Sequence, residues 1–217
     1  MSGSLRGLLV SGAAELGVVL SDSQADRALL LMQELRRWNC KINLTAITAE
    51  REIIIKHILD SLTVAPLLPN GARVLDLGSG GGFPAIPLAL VRPDLNVTSV
   101  DAVEKKIFFQ RHVARFLGLE RFTALHARGE SLHESQAGRF DVILSRAFSS
   151  LPDFVSLVQF LLAPGGVIIA MKGKSGEDEA SDASPFLMQR GLAVQEVVRL
   201  RLPVSGDERC LLVIRAV

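Results

Sequence analysis

Tyrosine is missing from this chain, tryptophan occurs once and cysteine twice in 217 residues. Cys40 and Cys210 stand far apart with no ligand pattern near either, which argues against a disulfide scaffold and against structural zinc; no metal site is expected. Long apolar runs are also lacking. The best of them, such as residues 210–214, are far too short to cross a bilayer, so no membrane partner is expected. Residues 1–12 hold a single Arg and no continuous apolar stretch of the secretory kind, which points to a cytoplasmic protein. Neither sign of charge dominates: Lys plus Arg number 24 and Asp plus Glu 23, so any nucleic-acid role requires a localised basic face. The full Gly-x4-Gly-Lys-Ser/Thr phosphate loop is absent, because Ile168 stands where its first glycine would precede Gly173-Lys174-Ser175, and this counts against nucleoside triphosphate binding. Internal repeats and low-complexity segments are absent as well.

What is present reads as one large soluble domain with a modest appendage. Residues 5–20 allow a short helix, weakened by Gly12 and Gly17. After Ser21 or Ser23 a firmer helix carries Leu29, Leu30, Met32, Leu35 and Trp38 at helical spacing. Residues 38–48 are too polar at their centre for a core helix. Thr48 is placed to cap the next one, which carries Ile54, Ile55, Ile58, Leu59 and Leu62 and stops near Ala65. From residue 72 strands and helices alternate. Strands are expected at 72–77, 96–100, 122–125, 140–144, 167–171, about 194–198 and 210–214. Helices are expected at 85–91, 104–117 (Phe109, Val113, Phe116 and Leu117 on one face) and 154–162. Residues 173–185 read as a mobile loop with part of a helix. Short, continuously apolar strands joined by helices make a parallel sheet covered on both faces. The last two strands have no helix between them and should pair antiparallel. The expected organisation is a helical cap over 1–70 and an α/β domain over 71–217.

The chain is organised around Arg73-Val74-Leu75-Asp76-Leu77-Gly78-Ser79-Gly80-Gly81-Gly82-Phe83-Pro84, a strand that runs into glycines and then a helix start. Such a turn lets a ligand approach bare backbone. Asp101 follows Gly78 by 23 residues and closes the second strand, where such folds set an acid against a ribose diol. Helix capping is the competing use of Asp101, and binding loop amides that of Asp76. Polar strand ends at 76–82, 101, 128–130 and 145–146 converge on one crevice, and the ligand is a nicotinamide dinucleotide or S-adenosylmethionine.

Several segments occur in a consistent order: Trp38-Asn39 with Lys41-Ile42-Asn43-Leu44-Thr45, Lys56-His57-Ile58-Leu59-Asp60-Ser61-Leu62, the glycine segment, Asp101 with Lys105-Lys106, Ser145-Arg146-Ala147 and Met171-Lys172-Gly173. With them the chain resembles the bacterial ribosomal RNA small subunit methyltransferase G family, also called glucose-inhibited division protein B, over roughly residues 25–175. The resemblance implies a Rossmann-like class I methyltransferase fold, with a mostly parallel seven-stranded sheet, an antiparallel C-terminal strand and N-terminal helices. It implies methyl transfer from S-adenosylmethionine to N7 of a guanine in 16S ribosomal RNA, in the small subunit or a late assembly particle. The cofactor positions it implies are Gly78, Phe83, Gly129, Glu130 and Arg146, with Asp101 on the ribose; Asp76 and Gly80 join them from the loop itself. Gly129 replaces an Ala or Val often found there.

Guanine N7 carries no proton, so alignment rather than a general base is the requirement. Arg146, Lys172 and His57 are the candidates for positioning the substrate. Lys56, Lys105, Lys106, Arg111, Arg115, Arg128, Lys172 and Lys174 are the candidates for contacting RNA phosphates. A monomer is expected, since no long exposed apolar helix asks for a partner. The competing functions are an NAD(P)-dependent oxidoreductase and a noncatalytic RNA-binding module.

Overall fold

Ser21 begins a reciprocal cap with Gln24, each side chain bonding the other's backbone amide, and helix α2 (Asp22–Ile42) grows from it. The computed structural model describes residues 4–132, 136–146, 148 and 150–217. Ala147, part of one of the family-like segments, lies outside them. Before α2 stands α1 (Leu5–Glu15), capped by the Ser4 hydroxyl. α2 runs past Trp38 to Ile42, further than its polar end suggests, and Asn43 leaves it in the left-handed conformation at φ 49°. The polar Asn39 is used from inside the helix. Its carbonyl accepts from the amides of Leu44 and Thr45 at 2.6 and 2.9 Å, and its amide donates to the Thr45 carbonyl.

The next helix begins at Ala49 without a side-chain cap, so Thr48 does not play that part. It runs as α3 (Glu50–Ile53), a π-helical stretch Ile54–Leu59 and α4 (Asp60–Leu62). Wide π turns are uncommon inside α-helices and gather at functional sites. No helix among the described residues is long and apolar enough to cross a membrane.

The sheet has seven strands in the order β3-β2-β1-β4-β5-β7-β6: β1 (Arg73–Leu77), β2 (Asn96–Asp101), β3 (Phe122–His126), β4 (Phe140–Arg146), β5 (Leu162–Lys172), β6 (Leu192–Arg201) and β7 (Glu208–Ala216). β1 to β5 pair in parallel, while β7 runs antiparallel between β5 and β6, the expected antiparallel end. Helices α5 (Ala85–Val91) and α6 (Glu104–Phe116) join the first three strands, α7 (Leu151–Val158) lies between β4 and β5, and α8 (Gly176–Met188) precedes β6.

Three local expectations change. β5 begins at Leu162, because Pro164-Gly165-Gly166 forms an irregularity within the β4–β5 pairing rather than a turn before it. The polar stretch expected as a mobile loop with part of a helix is mostly α8, with Ala180, Ala183 and Leu187 buried and Glu177, Asp178 and Glu179 at its positive end. Phe116 points to solvent, 52% exposed, instead of joining Phe109 and Val113 in the core.

Leu9, Leu31, Leu35 and Ile58 pack with Phe83, Ile86, Phe109 and Val113 in one apolar cluster. Each such side chain contributes about 1.5–3 kcal/mol by leaving water. That packing sets the π-helical stretch beside the carboxyl ends of β1 and β4.

Candidate functional site

The crevice starts with a tight turn. The amides of Gly78 and Ser79 donate to the Val100 carbonyl, and those of Gly82 and Phe83 to the Ser79 carbonyl. Gly78 and Gly80 take φ of 76° and 58°, with nothing within 4 Å of where a Cβ would stand. Gly82, at φ 85°, has Ile86 2.3 Å from that point, so no side chain fits there.

Asp101 holds this turn to α6. One carboxylate oxygen accepts from the Gly80 amide at 2.8 Å and the other from the Val103 amide at 2.8 Å, with Lys106 Nζ at 3.8 Å. Behind the loop the buried Gln110 donates to the Ser79 hydroxyl and the Gly80 carbonyl, both at 2.8 Å, and accepts from Ser99 at 2.6 Å. Gln110 is missing from the sequence-derived set. The readable signal was a polar residue in the apolar stripe Ile107, Val113, Ala114.

Asp76 lies at the floor, fully buried. One of its oxygens accepts from the Ala85 amide at 3.1 Å and the other, Oδ1, has no partner. Burial pushes its carboxyl up to about 7, against the opposing pull of the Ala85 amide and the Arg146 charge. An unpaired carboxylate oxygen beside bare glycine backbone suits a cationic group. A cavity of about 330 Å³ opens at Leu77 and Gly78, the residues that follow Asp76, walled by Leu77, Val100, Phe148 and Leu157 and rimmed by Gly78, Asp101, Arg128, Gly129 and Glu130. A Cβ on Gly129 would approach Leu77 to 3.3 Å.

Above the loop, Arg146 at the end of β4 reaches across to the π-helical stretch. Its guanidinium donates to the Lys56 carbonyl at 2.9 Å and the Asp60 carboxylate at 3.1 Å, and stands 3.3 Å from His57 Nδ1. It also lies over the Phe83 ring, 5.7 Å from its centre, while His57 stacks on that ring at 4.8 Å. Since guanidinium only donates, Nδ1 accepts, and the Nε2 hydrogen faces Thr45 Oγ1 at 2.8 Å. Burial, then the Arg146 charge, pulls His57 down to about 4, so it is neutral at pH 7. Asp60 binds a second cation, Arg209 of β7, at 2.7 Å. Asp60 belongs to one of the family-like segments, but Arg209 does not stand out in the sequence, because it meets Asp60 from 149 positions away.

The structure therefore gathers Asp76, Gly78, Gly80, Phe83, Asp101, Gly129 and Glu130 around one turn, with His57 and Arg146 beside it. The basic residues are dispersed. Lys56 pairs with Glu52 at 2.7 Å, and Lys172 is drawn inward to Glu179 at 2.6 Å and the Phe148 carbonyl. Lys174 lines a separate cleft with Glu177 and Arg199. Lys105 is exposed on the first turn of α6. Arg111 and Arg115 border another cavity, of about 580 Å³, further down α6, where Arg111 donates to the Ala124 carbonyl.

A sequence model of the family described as rRNA small subunit methyltransferase G matches residues 24–208. The chain is similar to the ribosomal RNA small subunit methyltransferase G of Geobacter metallireducens, 53% identical over 213 residues that cover 98% of this chain and 97% of that protein. Its similarity to the same-named protein of Geotalea uraniireducens is 52% over 217 residues, covering 100% and 99%. The fold is shared with a SAM dependent methyltransferase from Aquifex aeolicus, at TM-score 0.59 and 18% identity over 75% of this chain and 92% of that one. It is also shared with the B. subtilis M1A22 tRNA methyltransferase TrmK, at TM-score 0.59 and 17% identity over 73% and 65%.

Proposed function

This chain belongs to the rRNA small subunit methyltransferase G family, and from that premise we propose that it transfers a methyl group from S-adenosylmethionine to N7 of a guanine in 16S ribosomal RNA. The observation that carries the cofactor half of this reading is the turn at 78–82, held between Asp101 and a buried carboxylate with one oxygen unpartnered. The residues suit that molecule's chemistry. Asp76 offsets a positive charge on the amino-acid end, and Gly78 and Gly80 offer bare backbone. Asp101 accepts from the ribose hydroxyls, while the apolar walls beside Gly129 and Glu130 take the base.

Bound here, the cofactor would supply an electrophilic methyl carbon on a sulfonium, which the N7 lone pair can accept without help from a base. No proton leaves the guanine. A neutral His57 whose ring nitrogens already face Arg146 and Thr45 is consistent with that, because it is placed to orient and not to take a proton. Arg146 has five N–H donors, more than its contacts with Lys56, Asp60 and His57 use, which leaves donors for the guanine O6 or a phosphate. Lys172 tied to Glu179 supports a role in holding α8 against β5 more than one in touching RNA.

The modest overall charge of +1 favours a substrate already folded, the assembled small subunit in the cytoplasm. Nucleoside analysis after reaction with small ribosomal subunits and with protein-free rRNA tests the reading. N7-methylguanosine formed faster in subunits is expected. Methylation of another base or atom refutes the assignment, and equal or faster use of free rRNA refutes the substrate preference.

A further inference from the structure

The net charge of +1 hides an uneven distribution. Residues 36–56 contain Arg36, Arg37, Lys41, Arg51 and Lys56 against Glu50 and Glu52, a net +3, which leaves −2 for the rest of the chain. Arg36, Arg37, Lys41 and Arg51 are all exposed. The same segment encloses a cavity of about 620 Å³, with Leu35 and Ile53 in its floor and Arg36, Arg37 and Thr48 on its walls. Thr45 lines it too, and the Thr45 hydroxyl is the group that meets His57 Nε2 at 2.8 Å. A ligand in this pocket would thus touch a chain of contacts running from Thr45 through His57 to Arg146 in the methyl-transfer crevice.

We propose that this pocket in the cap seats a nucleotide of the RNA flanking the target guanine, with Arg36 and Arg37 on its backbone phosphates. The inference rests on the methyltransferase reading and adds where the polynucleotide is gripped. Mixed lining of this kind matches a nucleotide: apolar floor for the base, guanidinium groups for phosphate. The two arginines now pair with Glu50 and with Glu34. The Arg36–Glu50 pair is solvent-exposed, a kind that contributes little and exchanges readily for a phosphate, and the buried Glu34 keeps His112 at 2.7 Å when the exposed Arg37 turns outward. The basic candidates on α6 are placed less well, since Arg111 is committed to the Ala124 carbonyl and the cavity beside it is walled by Phe108, Leu119 and Phe122.

The test is a double variant, Arg36→Gln/Arg37→Gln, assayed with small ribosomal subunits and, for binding, with protein-free small-subunit rRNA. KM for the subunit should rise on the order of tenfold with kcat and S-adenosylmethionine affinity retained. The slope of log binding constant against log salt should flatten by about 1.4, two phosphate contacts' worth. Lys41→Gln/Arg51→Gln, on the same surface, should shift both readouts in the same direction by less, and it carries the test if the first variant misfolds. Arg139→Gln/Arg215→Gln changes net charge equally, just before β4 and near the end of the antiparallel β7, at the end of the sheet away from Arg146, and should leave both readouts in place. Equal shifts in the cap and control variants, or none in the cap variants, overturn the proposal. Wild-type protein that binds rRNA through these arginines but methylates nothing would refute the methyltransferase reading and leave the pocket standing.

Discussion

Replacing Asp76 with Asn tests the electrostatic account of the crevice directly. An acid whose folded-state pKa exceeds its unfolded value keeps its proton more firmly when folded. Its contribution is complete below the unfolded value and is lost as pH rises to the folded one. For Asp76 that window runs from 3.8 to about 7. At about 1.4 kcal/mol per unit the loss is about 4 kcal/mol. His57 works the other way. Its pKa falls from 6.5 to about 4, so its contribution is present above 6.5 and is lost as pH falls toward 4, about 3 kcal/mol in all. Between pH 4 and 7 the two nearly cancel in the wild type, and a single substitution exposes the other.

Asp76→Asn keeps an acceptor for the Ala85 amide but puts an unpaired NH₂ where the unpaired oxygen was, at about 1–3 kcal/mol. Measured by urea unfolding at several pH values, the variant should gain about 4 kcal/mol on the wild type between pH 4 and 7.5. At pH 7.5 it should be the more stable protein while binding S-adenosylmethionine more weakly. His57→Gln should drift the opposite way by about 3 kcal/mol. A difference between Asp76→Asn and wild type that does not change with pH would refute the reasoning.

If the cofactor's positive charge neighbours Asp76, binding at pH 6 should expel the Asp76 proton. Calorimetry in buffers of different ionisation enthalpy should show that release in the wild type and not in Asp76→Asn. Asp101→Ala should weaken cofactor binding by about 1.5–3 kcal/mol for each charge-assisted hydrogen bond lost and affect rRNA binding less, which parallel titrations would check. Gln110→Leu should cost about 1–3 kcal/mol of stability, because it takes the acceptor from the Ser99 hydroxyl and the donor from the Gly80 carbonyl, while Ser79 keeps its bond to the Val100 carbonyl. A melting temperature unchanged in that variant would show that the brace behind the loop is dispensable.

The sheet and the glycine turn were legible because their signals are local. Alternating apolar segments give the strands, glycines with positive φ give the turn, and an acid at a strand end lies where the parallel register carries it. Features made by distant partners were not legible. Asn39 reads as a loop residue, yet it serves as a cap from within α2, using a bend that forms only after the helix ends. The acidic run in α8 reads as solvated loop, although three acids suit a helix start and the buried face is made of small alanines, weak in any hydropathy pattern. Lys172 at a strand end looked free for RNA because its partner Glu179 lies in a segment read as a mobile loop with only part of a helix. Basic residues in 36–56 were visible one at a time. Only the fold shows that two of them, Arg36 and Arg37, line a cavity joined to the crevice through Thr45 and His57.

The place of β7 has a consequence for how the protein is made. β6 is synthesised first but reaches the sheet only through β7, which also delivers Arg209 to Asp60. Until those last strands leave the ribosome, a nascent chain has β5 as an open apolar edge and Asp60 with Arg146 as its single cationic partner. The cap and the crevice are thus locked together by a strand translated long after the glycine turn, and a chain halted before it would carry every residue of that turn without the clasp that fixes Arg146 in place.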